Sequence, residues 1–188
     1  MDGAFEKLGF YRMDIQYIQH LYQFDQQVYF DTYASYVRKP YLGILVGICD
    51  HQYCIPLTSA KTKHLSWSNI SDHNYVIFEH VRQEEIKPND ISKPNGDGKT
   101  HKKILAVLEI GKMIPVNPSV YTYVDFSTES DAAYKDLLEK EYFFLKTRQE
   151  GIIKKATRLY TQQQETGKIS PCNCNFKVLE TALIRYTE

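Results

Sequence analysis

The sequence predicts an α+β protein in which helices pack against a strongly bent antiparallel sheet of about five or six strands. Two observations lead to this prediction. Through residue 126, runs of β-branched and aromatic residues alternate with turn residues, which is typical of strands and hairpins. From Ser130 onward, apolar residues recur about every 3.6 positions, which indicates helices. With 188 residues, a single domain over 1–188 is expected.

The first elements are a short strand and a helix. Residues 10–13 (FYRM) predict the strand. Asp14 then caps a helix that runs through Phe24, because apolar residues fall on one face at helical spacing. Residues 26–38 have no clear period and indicate an ordered loop.

The rest of the sheet is predicted from β-rich runs separated by turn residues. Four such runs are 41–49, 52–57, 75–79 and 104–110. The first two flank Asp50-His51 and predict a hairpin. Residues 87–100 are rich in Pro, Gly, Asn and Asp and indicate a mobile loop. Residues 113–126 predict an edge strand, because their two prolines disfavour the centre of a sheet.

The last third of the chain predicts three helices. Ser130 is the expected cap of the first, which carries an apolar stripe of Tyr and Leu. Gly151 is the expected break before the second helix, and Gly167 the expected end of it. Asn175 is expected to cap the last helix.

Charge and hydropathy exclude two classes of protein. The formal net charge is zero, which argues against a protein that coats nucleic acid through its overall field but leaves a local basic groove open. No run of about 18 apolar residues predicts a membrane span. The first residues lack the features of a signal peptide, so a cytoplasmic location is expected.

The cysteines allow either a zinc site or free thiols. They lie at positions 49, 54, 172 and 174, in the stretches CDHQYC and CNC. Neither stretch has the C-x₂-C spacing of common structural zinc sites. Disulfides are rare in the cytosol, and cysteine is often a small buried apolar residue. We therefore expect four free thiols, and neither a metal nor any other cofactor is predicted.

A polar segment follows the predicted hairpin. Residues 56–64 read PLTSAKTKH and place hydroxyl, ammonium and imidazole groups together on Thr58, Ser59, Lys61, Lys63 and His64. Metal-free cleavage of an RNA phosphodiester needs proton transfer and a cation to stabilise the charged phosphorus. The segment therefore has two interpretations, a solvated exit from the hairpin or a phosphate site.

A second basic cluster, YVRKPY (36–41), enters the same hairpin from its other end. Antiparallel pairing brings the start of one strand to the end of the other, so Lys39 and Lys61 are expected at one rim of the sheet. Tyr17 on the first helix is either a third contributor or a core aromatic residue.

The chain resembles the endoribonuclease toxins of type III toxin–antitoxin systems, the ToxN/AbiQ/CptN family. Six segments match the family pattern in order and cover most of the chain. They are FYRMDIQYIQHLYQFD, KPYLGILVGICDHQYCIPLTSAKTKH, MIPV, YKDLLEKEYFFL, IIKKATRLY and CNFKVLE. The combination of P-L-T-S-x-K after a glycine-containing strand with C-N-F-x-x-L-E near the end is fairly specific.

The resemblance implies a compact, barrel-like antiparallel sheet akin to that of the MazF/Kid toxins, with added helices. It also implies metal-independent cleavage of mRNA and of the toxin's own antitoxin precursor, leaving a 2′,3′-cyclic phosphate. The implied inhibitor is a tandem-repeat, pseudoknotted small RNA that forms a closed assembly with the toxin. The implied biological role is growth arrest in defence against phage.

The resemblance also implies site residues. Thr58, Ser59 and Lys61 fall on the active-site T-S-x-K of the family, Lys39 on a basic active-site position, and Tyr17 on a tyrosine of the first helix. Departures from the pattern are Ala60, where relatives often have proline, and the longer loop at 87–100, which predicts altered RNA contacts. Further residues expected to bind RNA are Tyr36, Lys63, His64, Lys154, Lys155 and Arg158.

Several alternatives stay open at this point. The basic run KKATR (154–158) is either an antitoxin contact or a solvated helix face. The whole chain is alternatively a catalytically silent RNA-binding module that uses tyrosines and lysines alone. A related toxin neutralised by a protein partner is the third possibility.

Overall fold

A computed structural model describes residues 8–30 and 41–187. Within these two ranges the sheet is antiparallel throughout and contains eight strands. They are β1 Phe10–Met13, β2 Leu42–Ile48, β3 His51–Ser59, β4 Tyr75–Arg82, β5 Ser92–Pro94, β6 Thr100–Leu108, β7 Ile114–Val116 and β8 Tyr121–Val124. The strand order is β4-β6-β3-β2-β1-β8, with β5 added to β6 and β7 added to β3.

The α+β class and the antiparallel sheet are confirmed, but two details of the prediction are wrong. The described sheet has eight strands rather than five or six, because β5 was not predicted and residues 113–126 form two strands instead of one. The sheet is also open: the path of paired strands ends at β4 and β8, and these two do not pair within the described ranges. A closed barrel is therefore not formed.

The predicted hairpin is confirmed as β2 and β3. Residue Ile48 pairs with His51, so the turn consists of Cys49 and Asp50, one position earlier than predicted. Cys49 adopts a positive φ of 52°, which tight two-residue hairpin turns require. Consecutive residues of both strands are buried, which means that both faces of this hairpin are covered.

The longest ladder joins β4 to β6. The predicted run 75–79 forms the first part of β4, which continues to Arg82. The predicted run 104–110 overlaps the second half of β6, which begins earlier, at Thr100, and ends at Leu108. The segment 87–100, predicted as a mobile loop, instead carries β5 and a closed turn. In that turn the Asp97 carboxylate accepts hydrogen bonds from the backbone N–H groups of Lys99 and Thr100. The turn-forming composition thus belongs to a hairpin whose first strand, β5, is short.

Residues 113–126 form two strands instead of the single edge strand predicted. β7 pairs with β3, with Pro115 opposite Tyr53, while β8 pairs with β1 and lies at the edge of the sheet. A turn through Asn117 separates them, since the Asn117 side chain accepts a hydrogen bond from the Ser119 backbone N–H.

In the described part of the chain, four helices cover the sheet: α1 Ile15–Phe24, α2 Ala132–Lys146, α3 Gln149–Thr166 and α4 Phe176–Thr187. Asp14 caps α1 and Asn175 caps α4, as predicted. Gly167, with φ of 63°, ends α3 as predicted. Two boundaries differ: Asp131 rather than Ser130 caps α2, and α3 begins at Gln149, so Gly151 lies inside its first turn.

The helices divide the sheet between them. Helix α2 packs on β4, whereas α3 packs on β2 and α4 packs on α1 and β7. The largest fully buried rings, Tyr17, Tyr53, Phe10 and Phe176, lie in the core between these layers. Among the described helices, none has the length and apolar character needed to cross a lipid bilayer.

Candidate catalytic site

The candidate site begins with the last two residues of β3. Thr58 pairs with Val107 of β6 and Ser59 with Ala106, so the ladder fixes the backbone of both. Thr58 is half-buried, whereas Ser59 is exposed. After Ser59 the chain leaves the sheet and forms a 3₁₀ turn, Thr62–Ser66. A rigid strand therefore presents two hydroxyl groups at its end, followed directly by the lysines of the turn.

Lys61 is held by its backbone and free at its side chain. Its N–H donates to Nδ1 of His64 at 3.1 Å, and its carbonyl oxygen accepts from the His64 N–H at 2.8 Å. The Lys61 side chain is exposed to solvent, as is that of Lys63. These hydrogen bonds fix the backbone of Lys61, two residues after Ser59, while its ammonium group stays exposed.

His64 is a buried support of this turn. Its side chain is 1% exposed, and its ring lies 4.6 Å from that of Trp67. Burial lowers the pKa of His64, and Lys63 lowers it further, so the ring is neutral at pH 7. Because Nδ1 accepts the Lys61 N–H, the ring proton is assigned to Nε2. In the structure His64 contacts the backbone of Lys61, and its expected contact with RNA stays a prediction.

A carboxylate that the sequence reasoning missed completes the site. Glu109 follows β6, and its Oε1 accepts from the Thr58 hydroxyl at 3.3 Å. Burial, followed by a hydrogen bond with Glu109, raises the pKa of Tyr29. The Lys112 ammonium lies 5.6 Å from the centre of the Tyr29 ring and donates to the Gln27 carbonyl at 3.0 Å.

The signal that points to Glu109 is its place in the strand pattern. It is the first charged residue after the apolar end of β6, and that end pairs with the end of β3. The pairing of two strands about fifty positions apart is not visible in the local sequence.

Tyr17 lies in the core. It is fully buried, and its hydroxyl donates to the Pro115 carbonyl oxygen at 2.6 Å. Burial raises the pKa of Tyr17 well above its usual value. The geometry matches the core alternative, since the hydroxyl is closed to solvent and already paired in this conformation. A role in cleavage stays a prediction.

Lys39 and Tyr36 lie outside the described residues. Lys39 was predicted to lie near Lys61 because the two strands of the hairpin pair antiparallel. The described part of the hairpin has this pairing, since Gly43 near the start of β2 pairs with Pro56 near the end of β3.

The basic run on α3 serves another part of the molecule. The Lys155 ammonium donates to the Ser71 carbonyl and lies 3.8 Å from Asp72, and the Lys155 side chain is 9% exposed. Arg158 donates to the same Asp72 through Nε at 3.0 Å and through a second nitrogen. Lys154 is exposed. Two of the three α3 cations expected to bind RNA thus hold the loop that follows residues 61–66, which we propose as the catalytic turn. Their contact with RNA stays a prediction.

All four cysteines are free thiols; Cys54 and Cys174 are buried, and Cys49 and Cys172 are exposed. Among the described residues, no group of three or more His, Cys, Asp or Glu side chains is placed to hold a metal ion. The site is therefore built from hydroxyl, ammonium and carboxylate groups.

Fold and site together define an α+β protein that presents two hydroxyls and an exposed ammonium at the end of a central strand, a set suited to binding a phosphate. The chain belongs to the family described as toxin ToxN of the type III toxin–antitoxin system, whose sequence profile matches residues 9–184.

Two relatives with this name span nearly the whole chain. The endoribonuclease ToxN of Bacillus thuringiensis subsp. kurstaki is 28% identical over 188 residues, which cover 95% of this chain and 84% of the relative. The endoribonuclease ToxN of Pectobacterium atrosepticum is 26% identical over 174 residues, which cover 92% and 90%.

Solved structures show the same fold. A toxin studied for its selective inhibition by a non-coding RNA pseudoknot superposes with a TM-score of 0.71 at 25% identity, covering 97% of this chain and 99% of the other. AbiQ, a lactococcal anti-phage endoribonuclease of a type III system, superposes with a TM-score of 0.68 at 20% identity, covering 96% and 98%.

Proposed function

We propose that this chain is an endoribonuclease toxin that cleaves cellular mRNA and the precursor of its own antitoxin RNA. The observation that supports this most strongly is the polar turn: Thr58, Ser59 and Lys61 lie together at the end of a buried strand in a family whose named relatives are endoribonucleases. Thr58 and Ser59 supply hydrogen-bonding hydroxyls, and Lys61 supplies an exposed cation.

The proposed reaction is attack of the RNA 2′-oxygen on the adjacent phosphorus. The 2′-hydroxyl loses its proton, the bond to the 5′-oxygen breaks, and that oxygen takes up a proton. The products are a 2′,3′-cyclic phosphate and a 5′-hydroxyl. Lys61 stabilises the extra negative charge on the phosphate oxygens in the transition state. Lys39 is proposed as a second cation at the same rim.

Glu109 is proposed to orient the Thr58 hydroxyl. The Thr58 hydroxyl has one proton to donate, with the Glu109 carboxylate at 3.3 Å and the Val107 carbonyl at 3.4 Å as acceptors, so its oxygen lone pairs stay available to accept a hydrogen bond. The Tyr29 hydroxyl holds Glu109 in place.

The reaction is proposed to proceed without a metal ion. The groups available at the turn are themselves a cation, hydroxyls and a carboxylate, which are sufficient for proton transfer and charge stabilisation. Cleavage is therefore expected to persist in excess EDTA. Strong inhibition by EDTA that added magnesium reverses would contradict this.

The proposed partner is a tandem-repeat small RNA that folds as a pseudoknot, binds the toxin in a closed assembly and inhibits it in the cytoplasm. The solved relative with a pseudoknot inhibitor supports this proposal. The proposed similarity of this chain to the MazF/Kid toxins concerns only the strong bend of its sheet.

The test is incubation of purified protein with a mixed RNA, followed by analysis of the fragment ends. We expect fragments that resist 3′ polyadenylation until a phosphatase with cyclic-phosphate activity removes the end group. A catalytically silent RNA-binding module would leave the RNA intact. A nuclease that releases 3′-hydroxyl ends would give fragments that can be polyadenylated without phosphatase treatment.

A further inference from the structure

The edge of β6 is shared by two strands, one on each side of the catalytic turn. β3 pairs with β6 until Ser59 meets Ala106. Beyond that point the Ile104 N–H donates to the Ile91 carbonyl, and β5 pairs with β6 from Lys103 to His101. The segment 87–100 thus pairs with the part of the β6 edge that β3 leaves unpaired after Ser59.

This segment contacts the catalytic turn directly. The Lys93 ammonium donates to the Leu65 carbonyl at 2.8 Å, inside the 3₁₀ turn that follows Lys61. Along β6, the pairing positions of Ser59 and Lys93 are four residues apart, or about 13 Å. The segment and the turn form one continuous surface.

The charges on this surface are unbalanced. Lys93 and Lys102 are direct cross-strand partners, and like charges in that arrangement destabilise a sheet. The next lysine along β6 is different, because Lys103 pairs with Asp90 at 3.1 Å and with Glu79 at 3.6 Å. Exposed lysines also continue toward the turn at Lys63. An anionic ligand would offset the repulsion between Lys93 and Lys102.

Aromatic rings accompany the lysines. The Lys102 ammonium lies 4.1 Å from the centre of the Phe78 ring, and the Lys63 ammonium lies 5.2 Å from the centre of a Trp67 ring. Both rings are only half-buried. Lysines interleaved with aromatic faces are the combination that binds single-stranded nucleic acid, through phosphates and stacked bases.

We propose that the surface formed by Lys63, Trp67, Phe78, Lys93 and Lys102 binds the single-stranded RNA that flanks the cleaved bond. This inference rests on the proposed endoribonuclease function and adds the path of the strand, from the catalytic turn along the edge of β6 to β5. The segment 87–100 is then a substrate-binding hairpin.

The test uses a 2′-O-methyl RNA oligomer of mixed sequence, which has no free 2′-hydroxyl and cannot be cleaved. Its affinity is measured between 50 and 200 mM salt for the wild type, for Lys93→Gln/Lys102→Gln, and for the matched control Lys146→Gln/Lys168→Gln. Each lost phosphate contact lowers the salt slope by about 0.7 for a single strand, so the wild type should lose about sevenfold more affinity over this range than the double variant. The control should follow the wild type.

Cleavage rates separate a binding surface from a merely structural one. The double variant should show a raised KM on long RNA, while kcat stays near that of the wild type. A wild type that cleaves RNA, together with a double variant whose salt slope and KM are unchanged, overturns this inference and leaves the proposed function standing. A fall in kcat alone also overturns it, because Lys93 would then act only through the Leu65 contact. A wild type that neither cleaves nor binds RNA overturns both.

Discussion

Two basic clusters of this protein differ in what their cations contact. In the catalytic turn, the side chains of Lys61 and Lys63 are exposed, and the backbone alone holds Lys61 in place. On α3, Lys155 and Arg158 are bound to Ser71 and Asp72. A cation that already pairs within the protein must give up those contacts to bind a phosphate, so it contributes little free energy to phosphate binding. From this comparison we propose that RNA binds the first cluster and that the second stabilises the fold.

The largest expected effect is that of Lys61→Ala on cleavage. Removing a positioned charge from a developing anion typically costs about 10²–10³ in rate. The side chain is exposed, so folding should be unaffected. Single-turnover cleavage measures the loss, and Lys154→Ala, which removes an exposed lysine from the other cluster, is the matched control. Equal rates for the two variants would remove the distinction between the clusters.

His64→Ala should have an intermediate effect. Loss of the hydrogen bond to the Lys61 N–H frees the turn, and about 1.4 kcal/mol corresponds to about a tenfold fall in kcat. His64→Asn, whose side-chain oxygen can accept the same N–H, should restore most of the rate. If both variants were equally impaired, His64 would act through something other than this bond.

His64 should also make stability depend on pH. Its pKa is lowered in the folded protein by burial and then by Lys63, so the unfolded chain binds a proton more readily. The stabilising contribution is complete above the usual histidine pKa of about 6.5 and is lost as the pH falls below it. Urea denaturation between pH 7.5 and 5 should show a smaller decline for His64→Asn than for the wild type.

Lys155→Met should reduce stability and leave cleavage unchanged. The change removes the donor to the Ser71 carbonyl and the neighbour of Asp72, at a cost of about 2 kcal/mol. For a chain of this size the melting temperature should fall by several degrees, and about 2–4 °C per kcal/mol is typical. Lys154→Met on the same helix should have almost no effect. A variant that melts like the wild type but no longer binds antitoxin RNA would place α3 in recognition instead.

Tyr17→Phe should have the smallest effect. It loses the hydrogen bond to the Pro115 carbonyl, which is worth about 1 kcal/mol, and retains the buried ring. We expect an unchanged cleavage rate. A large fall in rate without a fall in melting temperature would support the catalytic role that the family resemblance implies.

The two clusters also show what the sequence can predict. The hairpin and the polar turn at its end are local features, and both were predicted within a residue or two. Contacts between distant segments were not. Asp72 and Arg158 are 86 positions apart, and Thr58 and Glu109 are 51 apart, so residue types alone could not show that one basic run was paired or that a carboxylate adjoined the other.

The same limit explains the strand count. Short strands such as β5 and β7 form because a neighbouring strand offers free backbone groups, and their own sequences carry turn residues and prolines. The segment 87–100 therefore has the composition of a loop, as the sequence indicates, but its pairing with β6 could not be predicted from that composition.

The most direct test of the comparison is lysine footprinting by acylation, read by mass spectrometry, with and without the 2′-O-methyl RNA oligomer. Bound RNA should protect Lys61 and Lys63 and leave Lys154 as reactive as before. Lys155 should react slowly in both states, because its ammonium is already bound to Ser71. Protection of Lys154 with no change at Lys61 would contradict the assignment of RNA to the catalytic turn.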